Sequence, residues 1–186
     1  MKNTLVCLTA LLIGSASVTS LHGNDSAKIR EGMTKLAPLV GKWDATVKFY
    51  DPDGTVTEEV GTDSISFVLD GSYLECELER HNKENPKRSN SLISFITFNP
   101  ALNQYDTTYF YRGSALRVTE TGAYDSATSE FRTRAFIPLE DGVHDENVRT
   151  ITSLKDPEKI VHTHFSKRSN ETCERVDLMM TLTRTH

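Results

Sequence analysis

The sequence predicts an all-β domain of about ten short antiparallel strands, preceded by one short helix. From Trp43 almost to the C-terminus, apolar and polar residues alternate, as they do in strands with one buried face. Turn signals such as DPDG at residues 51–54 and Asp70-Gly71 interrupt the alternation at short intervals. This spacing is typical of an antiparallel sandwich or an up-and-down barrel, and periodicity alone does not distinguish the two.

The helix is predicted over residues 25–36. Ile29, Met33 and Leu36 have the spacing of one helix face, and Pro38 ends the pattern. The first strand follows at Trp43, where the period changes from that of a helix to that of a strand.

The next two strands are predicted to form a hairpin. Apolar alternation reaches Leu69, and Asp70-Gly71 then supplies residues that accept positive φ. After that turn, apolar residues alternate with three glutamates, which assigns Cys76 to the buried face. The later strands follow in chain order: SLISFITF, YDTTYFYR, ALRVTETGAY, FRTRAFIPL, NVRTITSL, IVHTHFSK and CERVDLMMTLTR.

Composition limits the classes of partner. The chain has 186 residues, the size of one domain, and a formal charge of −5 with both signs mixed along its length. That balance argues against a nucleic-acid partner and against an anionic membrane surface. We also expect no transmembrane anchor once the leader described next is removed.

The N-terminus predicts export. One lysine, an apolar stretch from Leu5 to Ile13 and the small residues that follow have the layout of a secretory signal peptide over residues 1–20. Residues 21–186 would then form the mature domain, in a periplasmic or secreted location. Removal of Cys7 with the leader leaves Cys76 and Cys173, which strand parity places on opposite faces, so pairing remains open.

The last strand ends in an arginine that needs a partner. Val176, Leu178, Met180 and Leu182 share one face, and Arg184 falls on the same face. A charged group there requires hydrogen bonds and a countercharge or an aromatic face. In a closed barrel the first and last strands are neighbours, so Trp43 would supply that face.

These residues resemble a known family. Gly41-x-Trp43 with an arginine near the end of the last strand is similar to the calycin signature of lipocalins and fatty-acid-binding proteins. The segments LAPLVGKW, DGSYLECE, FNPALNQYDTTYFY and GAYDSATSEF resemble a secreted, lipocalin-like bacterial domain of unassigned function. The resemblance covers Met33 to Arg184. It implies an up-and-down barrel with an internal cavity, closed by structural residues Gly41, Trp43 and Arg184.

His162 and His164 are the candidate metal ligands. Residues two apart on a strand project from one face, so the two imidazoles could together bind a metal. Alternatively, one of them could be the axial ligand of a haem iron. A metal would need a third ligand, for which His144 and Asp145 are the candidates. We favour the alternative in which Val161, Thr163 and Phe165 face inward and both histidines are solvated, so we predict no metal or cofactor.

Candidate ligand-binding residues come from strand parity. Tyr105, Tyr109 and Tyr111 share a face that would line a cavity or an outer wall, and Arg149 shares a face with Ile151 that would point inward. The row Phe131, Thr133, Ala135 and Ile137 is expected to face inward, which places Arg132 and Arg134 outside.

No catalytic residues are assigned, since the sequence has no nucleophile elbow, P-loop or dinucleotide fingerprint. The favoured function is binding of a small hydrophobic molecule inside the barrel. The alternatives are an enzyme or a metal- or haem-dependent protein that uses His162 and His164, and a structural or interaction protein of the cell envelope.

Overall fold

The computed structural model describes residues 19–138, 145–168 and 172–186. These residues form a helix, two short 3-10 helices (Ala37–Leu39 and Leu69–Gly71) and ten strands. The elements are α1 (Thr19–Thr34), β1 (Gly41–Tyr50), β2 (Val56–Val68), β3 (Tyr73–Asn82), β4 (Ser89–Asn99), β5 (Gln104–Tyr111), β6 (Arg117–Asp125), β7 (Glu130–Pro138), β8 (Asp145–Asp156), β9 (Lys159–Arg168) and β10 (Arg175–Arg184).

The strands close into one antiparallel up-and-down barrel. Each strand pairs with its neighbours in the chain, and β1 pairs with β10. Closure leaves no free sheet edge, which removes the unpaired backbone groups that an open sheet would expose. The predicted barrel is therefore confirmed, and the sandwich alternative is excluded.

Helix α1 covers one end of the barrel. Its last turn buries Met33, and Leu36 is buried in the turn that follows. The Tyr105 hydroxyl donates a hydrogen bond of 2.7 Å to the Gly32 carbonyl, which ties the helix to β5. The helix begins at Thr19 rather than residue 25, because residues 19–24 continue the backbone hydrogen bonding without an apolar period that a sequence pattern would reveal.

The turn at Asp70-Gly71 is more elaborate than the predicted two-residue hairpin. Leu69, Asp70 and Gly71 all have positive φ, at 49°, 56° and 78°, and form a short 3-10 helix. The strands around the polar segment at residues 81–90 are also longer than expected, since β3 continues to Asn82 and β4 starts at Ser89.

The contact between Trp43 and Arg184 closes the helix end of the barrel. The two residues are direct partners in the β1–β10 register, and the Arg184 guanidinium carbon lies 4.2 Å from the centroid of the indole ring. The indole Nε1 donates to the Leu39 carbonyl at 2.8 Å, and Trp43 is completely buried.

Arg184 uses its other donors to hold neighbouring turns against the barrel. Its guanidinium donates to the carbonyls of Val40 at 3.2 Å, Pro38 at 3.3 Å and Pro157 at 3.1 Å. The carboxylate of Glu158 lies 3.7 Å from Nε. One side chain thus connects the segment before β1 with the turn between β8 and β9.

Gly41 makes room for this contact. Its φ of 147° lies in the region that favours glycine, and a Cβ there would lie 2.5 Å from Arg184 Nη1. The two residues of the Gly41-x-Trp43 motif therefore have separate roles. Gly41 leaves space for the Arg184 guanidinium, and Trp43 supplies the aromatic face on which it stacks.

We expect Trp43→Ala to lower the free energy of unfolding by about 3–5 kcal/mol, because it removes a fully buried aromatic ring and leaves Arg184 without its stacking surface. Urea denaturation followed by circular dichroism measures the change. The exposed aromatic Phe110 provides a control, and Phe110→Ala should cost less than about 1 kcal/mol. Equal effects of the two substitutions would contradict the closing role of Trp43.

Candidate ligand-binding cavity

The barrel encloses a cavity of about 150 Å³. Every strand except β1 contributes inward-facing side chains to its wall, and most of them are apolar. Representative apolar lining residues are Ile65, Leu78, Ile96, Ile160, Met180 and Leu182.

A buried carboxylate dominates one side of the cavity. Glu120 on β6 is only 1% exposed. It accepts hydrogen bonds from Tyr109 and Thr150, each at 3.3 Å, and from the hydroxyl of Thr133. His164 Nε2 lies 3.4 Å from its Oε1 atom. A buried carboxylate is tolerated when its oxygens are satisfied in this way.

These partners determine the protonation of Glu120 and Tyr109. Burial alone would raise the pKa of Glu120, but the hydrogen bond and charge of His164 and the Thr133 hydroxyl outweigh it, so this pKa lies below its usual value. Burial, with the negative charge of Glu120, raises the pKa of Tyr109 well above its usual value. Tyr109 therefore remains a hydrogen-bond donor throughout the physiological range.

His162 and His164 face into the barrel, which corrects the expectation that both are solvated. Both line the cavity, and their rings stack with centroids 5.5 Å apart. His162 Nδ1 lies 2.7 Å from the Thr152 hydroxyl. Burial and the charge of His164 lower the pKa of His162 to about 4, so that ring is neutral at pH 7.

The expectation was wrong because β9 reverses the usual rule for apolar residues. Its inward row contains Ile160 and Ser166 as well as the histidines, whereas Phe165 points outward. The Arg149 guanidinium covers Phe165, with 3.9 Å between its carbon and the ring centroid. Strand β9 thus has an aromatic residue covered by an arginine on its outer face, and histidines with hydroxyl and carboxylate partners on its inner face. This is the inverse of the pattern that the sequence suggests.

Arg149 is therefore a residue of the outer wall, and the inward orientation suggested for it is wrong. Besides stacking on Phe165, it forms an ion pair of 2.9 Å with Glu174. Tyr109 and Tyr111, the other ligand-binding candidates, both line the cavity.

Parity was correct on β7. Phe131, Thr133 and Ala135 are buried, and Ile137 lines the cavity. Arg132, on the opposite face, forms an ion pair with Glu130 at 2.7 Å. Cys76 also lies on the inner face as expected, and it and the exposed Cys173 are both free thiols.

The described residues contain no group of three or more His, Cys, Asp or Glu side chains placed to hold a metal. His144 and the side chain of Asp145, suggested as further ligands, lie outside what the structure describes. A cavity of about 150 Å³ is also much smaller than the 300–1,000 Å³ pockets that hold drug-sized ligands, so a haem would not fit in this form of the barrel.

A second carboxyl group lines the cavity on β2. Asp63 is 4% exposed, and its Oδ1 atom has no hydrogen-bond partner among the described residues. Burial raises its pKa to about 7, against a smaller opposing effect from the Ser64 amide. Burial and the charge of Asp63 also raise the pKa of the nearby Cys76 thiol, which therefore stays protonated.

Arg80 also lines the cavity, and its charge is already paired. Its Nε atom lies 2.9 Å from Glu59 Oε2, and its guanidinium carbon is 5.1 Å from the centroid of the Phe49 ring. Burial lowers the pKa of Arg80, while the charge of Glu59 opposes that shift.

The sequence analysis did not single out Glu120 or Asp63. Strand parity would have found both, since Glu120 shares a face with the inward Val118 and Asp63 shares a face with the inward Ile65. Acidic residues are common on solvated strand faces, so the residue type alone did not distinguish Glu120 and Asp63. Their inward-facing positions on β6 and β2 were the only indication in the sequence.

The closed ten-strand barrel with an interior cavity defines a calycin-like protein. Residues 31–184 match the family described as "Protein of unknown function (DUF1579)", and the chain belongs to that family. No curated protein sequence matches the chain.

Two solved structures share the fold. The S-type phycobiliprotein lyase CPES from Guillardia theta superposes with a TM-score of 0.59, covers 87% of this chain and 97% of its own, and is 9% identical. Rv2717c from M. tuberculosis has a TM-score of 0.62, covers 83% of this chain and 98% of its own, and is 10% identical. At these identities the likeness concerns the fold alone.

We expect the stability of the wild type, relative to Asp63→Asn, to fall as the pH rises from 4 to 8. Between the unfolded pKa of 3.8 and the folded value of about 7, the folded state holds a proton that the unfolded state has released, so a rise in pH favours unfolding. The relative loss is on the order of 4 kcal/mol at most. Denaturant titrations of both proteins at several pH values measure it, and a difference that is flat with pH would contradict the burial of Asp63.

Proposed function

We propose that this protein binds a small, largely apolar molecule inside the barrel, and that it acts by sequestration. The observation that carries the proposal is a cavity inside a folded barrel whose apolar wall contains a few fixed polar groups. The apolar part of such a wall removes the apolar surface of a ligand from water, and the polar groups orient the polar end of the ligand.

The size of the cavity limits the ligand. An apolar cavity of about 150 Å³ holds a molecule of about the size of benzene, so the ligand in this form of the barrel is comparable to one substituted ring or a short branched chain. A larger ligand would require the strands, or the turns at the end of the barrel opposite α1, to move apart.

Glu120 and His164 support a second candidate function. A carboxylate beside an imidazole in a water-poor cavity resembles a general acid–base pair, in which the carboxylate orients the ring that moves a proton. A ligand retained by the protein separates the two functions. Incubation with that ligand followed by mass spectrometry leaves its mass unchanged for a carrier and changes it for an enzyme.

Native mass spectrometry of the full protein, purified gently from its own host, is the direct test of binding. We expect an adduct that disappears when the protein is denatured. The same experiment on Ser94→Leu should show little adduct, because Ser94 lines the cavity and a leucine there fills it.

Ser91→Leu is the matched control for that test. Ser91 makes the same change on the same strand, but it lies outside the cavity-lining set, and the control should retain the adduct. Loss of the adduct in both variants, or in neither, would contradict binding inside the barrel. Circular dichroism establishes that both variants fold.

We also propose that the protein is exported, on the evidence of residues 1–20. The apolar stretch and the small residues after it support cleavage near Ala16 or Ser20. No helix in the described part of the chain is long and apolar enough to cross a membrane.

Expression of the full chain in a bacterial host tests export. We expect the periplasmic fraction to contain a protein whose mass has lost 16–20 residues, because the leader is removed on translocation. Leu12→Arg interrupts the apolar stretch and should leave the precursor in the cytoplasm. Full-length wild-type protein in the cytoplasmic fraction would contradict the proposal.

A further inference from the structure

Most of the charged groups in the cavity wall already have partners. Arg80 is paired with Glu59 at 2.9 Å, and Glu120 is held by three hydroxyls and by His164. Asp63 is the charged lining residue of the described chain that has neither an opposite charge nor a hydrogen-bond partner for its buried oxygen.

This orphaned oxygen differs from the other unpartnered groups in the barrel. The hydroxyls of Thr107 and Ser166 and Oδ1 of Asp177 also lack hydrogen-bond partners among the described residues, but none of these three residues lines the cavity, and the two hydroxyls are neutral. A carboxyl group costs far more to bury unpaired than a hydroxyl does. A ligand that pairs with Asp63 therefore recovers a larger free energy than one that contacts either hydroxyl.

We infer that Asp63 is the anchor for a protonated amino group on the ligand, and that the cavity selects small apolar amines over carboxylic acids. This inference rests on the proposed function, and it names the class of ligand. An ammonium group supplies both the charge and the hydrogen-bond donors that Asp63 lacks. A carboxylate ligand would instead meet two buried carboxyl groups of like charge, with Arg80 already engaged by Glu59.

The walls near Asp63 suit such a group. Asp63 lies between Trp43 on β1 and Leu78 on β3 in the strand register, so the carboxyl group is surrounded by apolar surface that excludes water. Cys76 and Ser94 also line the cavity and occupy neighbouring strands. Glu120 lies on β6, four strands away around the barrel, so the two carboxyl groups stand on different sides of the cavity.

The test compares four probes that share one ring and differ in the attached group: toluene, benzyl alcohol, benzoate and benzylamine. Isothermal titration calorimetry at pH 8 measures the binding of each to the full protein. We expect benzylamine to bind at least about tenfold more tightly than the other three, since only it forms a charge-assisted pair with Asp63.

Three variants locate the anchor. Asp63→Asn should weaken benzylamine binding by at least about tenfold and leave toluene binding unchanged. Asp44→Asn makes the same change on the exposed face of β1 and should bind benzylamine as the wild type does. Glu120→Gln should retain the preference for benzylamine over benzoate.

Each contrary outcome has a distinct meaning. Failure of all four probes, including toluene, to bind would count against the proposed function itself. Binding of toluene without a preference for benzylamine, or a preference for benzoate or benzyl alcohol, would leave that function intact and overturn the assignment of the ligand class. Loss of the amine preference in Glu120→Gln but not in Asp63→Asn would also overturn it, because the anchor would then be Glu120.

Discussion

The pairing of β1 with β10 is the constraint from which the other properties of the molecule follow. Without it the sheet would have two free edges and no interior, and the inward rows of the strands would form one face of an open sheet. Trp43 and Arg184 strengthen this pairing where it meets the helix end of the barrel. Stacking, three backbone carbonyls and the space left by Gly41 fix the arginine in one position.

Closure also determines what the polar residues of the interior must do. A side chain on an inward row cannot reach bulk water, so it needs partners from the opposing walls. Glu120 finds them because hydroxyls on β5, β7 and β8 and an imidazole on β9 all converge on it. Asp63 has no such set, and its raised pKa is the electrostatic consequence.

Strand parity predicted much of this arrangement, and its failures have physical causes. It was correct for β7 and for Leu178, Met180 and Leu182 of β10, where apolar residues occupy the inner face. It was wrong for Val176, because a β-bulge between Val176 and Leu178 places Val176 opposite the outward Phe165. It was wrong for β9, because Phe165 is covered on the outside by Arg149, while His162 and His164 are satisfied within. No local pattern reveals an arginine that comes from a neighbouring strand, so that inversion appears only once the strands are in register. The cavity volume likewise depends on how side chains from nine strands fill the interior, and no single segment encodes it.

The position of the helix bears on how a ligand reaches the cavity. Met33, Leu36 and Leu39 pack with Trp43, Phe98 and Tyr105 in one continuous apolar cluster, which fills the end of the barrel where β1 begins. A ligand would therefore pass through the other end, where the turns after β1, β3 and β5 lie. Arg80 and Tyr111 line the cavity toward that end, with Glu59 beside the arginine. Because Arg80 and Glu59 neutralise each other, that end of the barrel would admit a cation without binding it there. The unpaired carboxyl group of Asp63 lies deeper in the cavity, where it would serve as the electrostatic anchor.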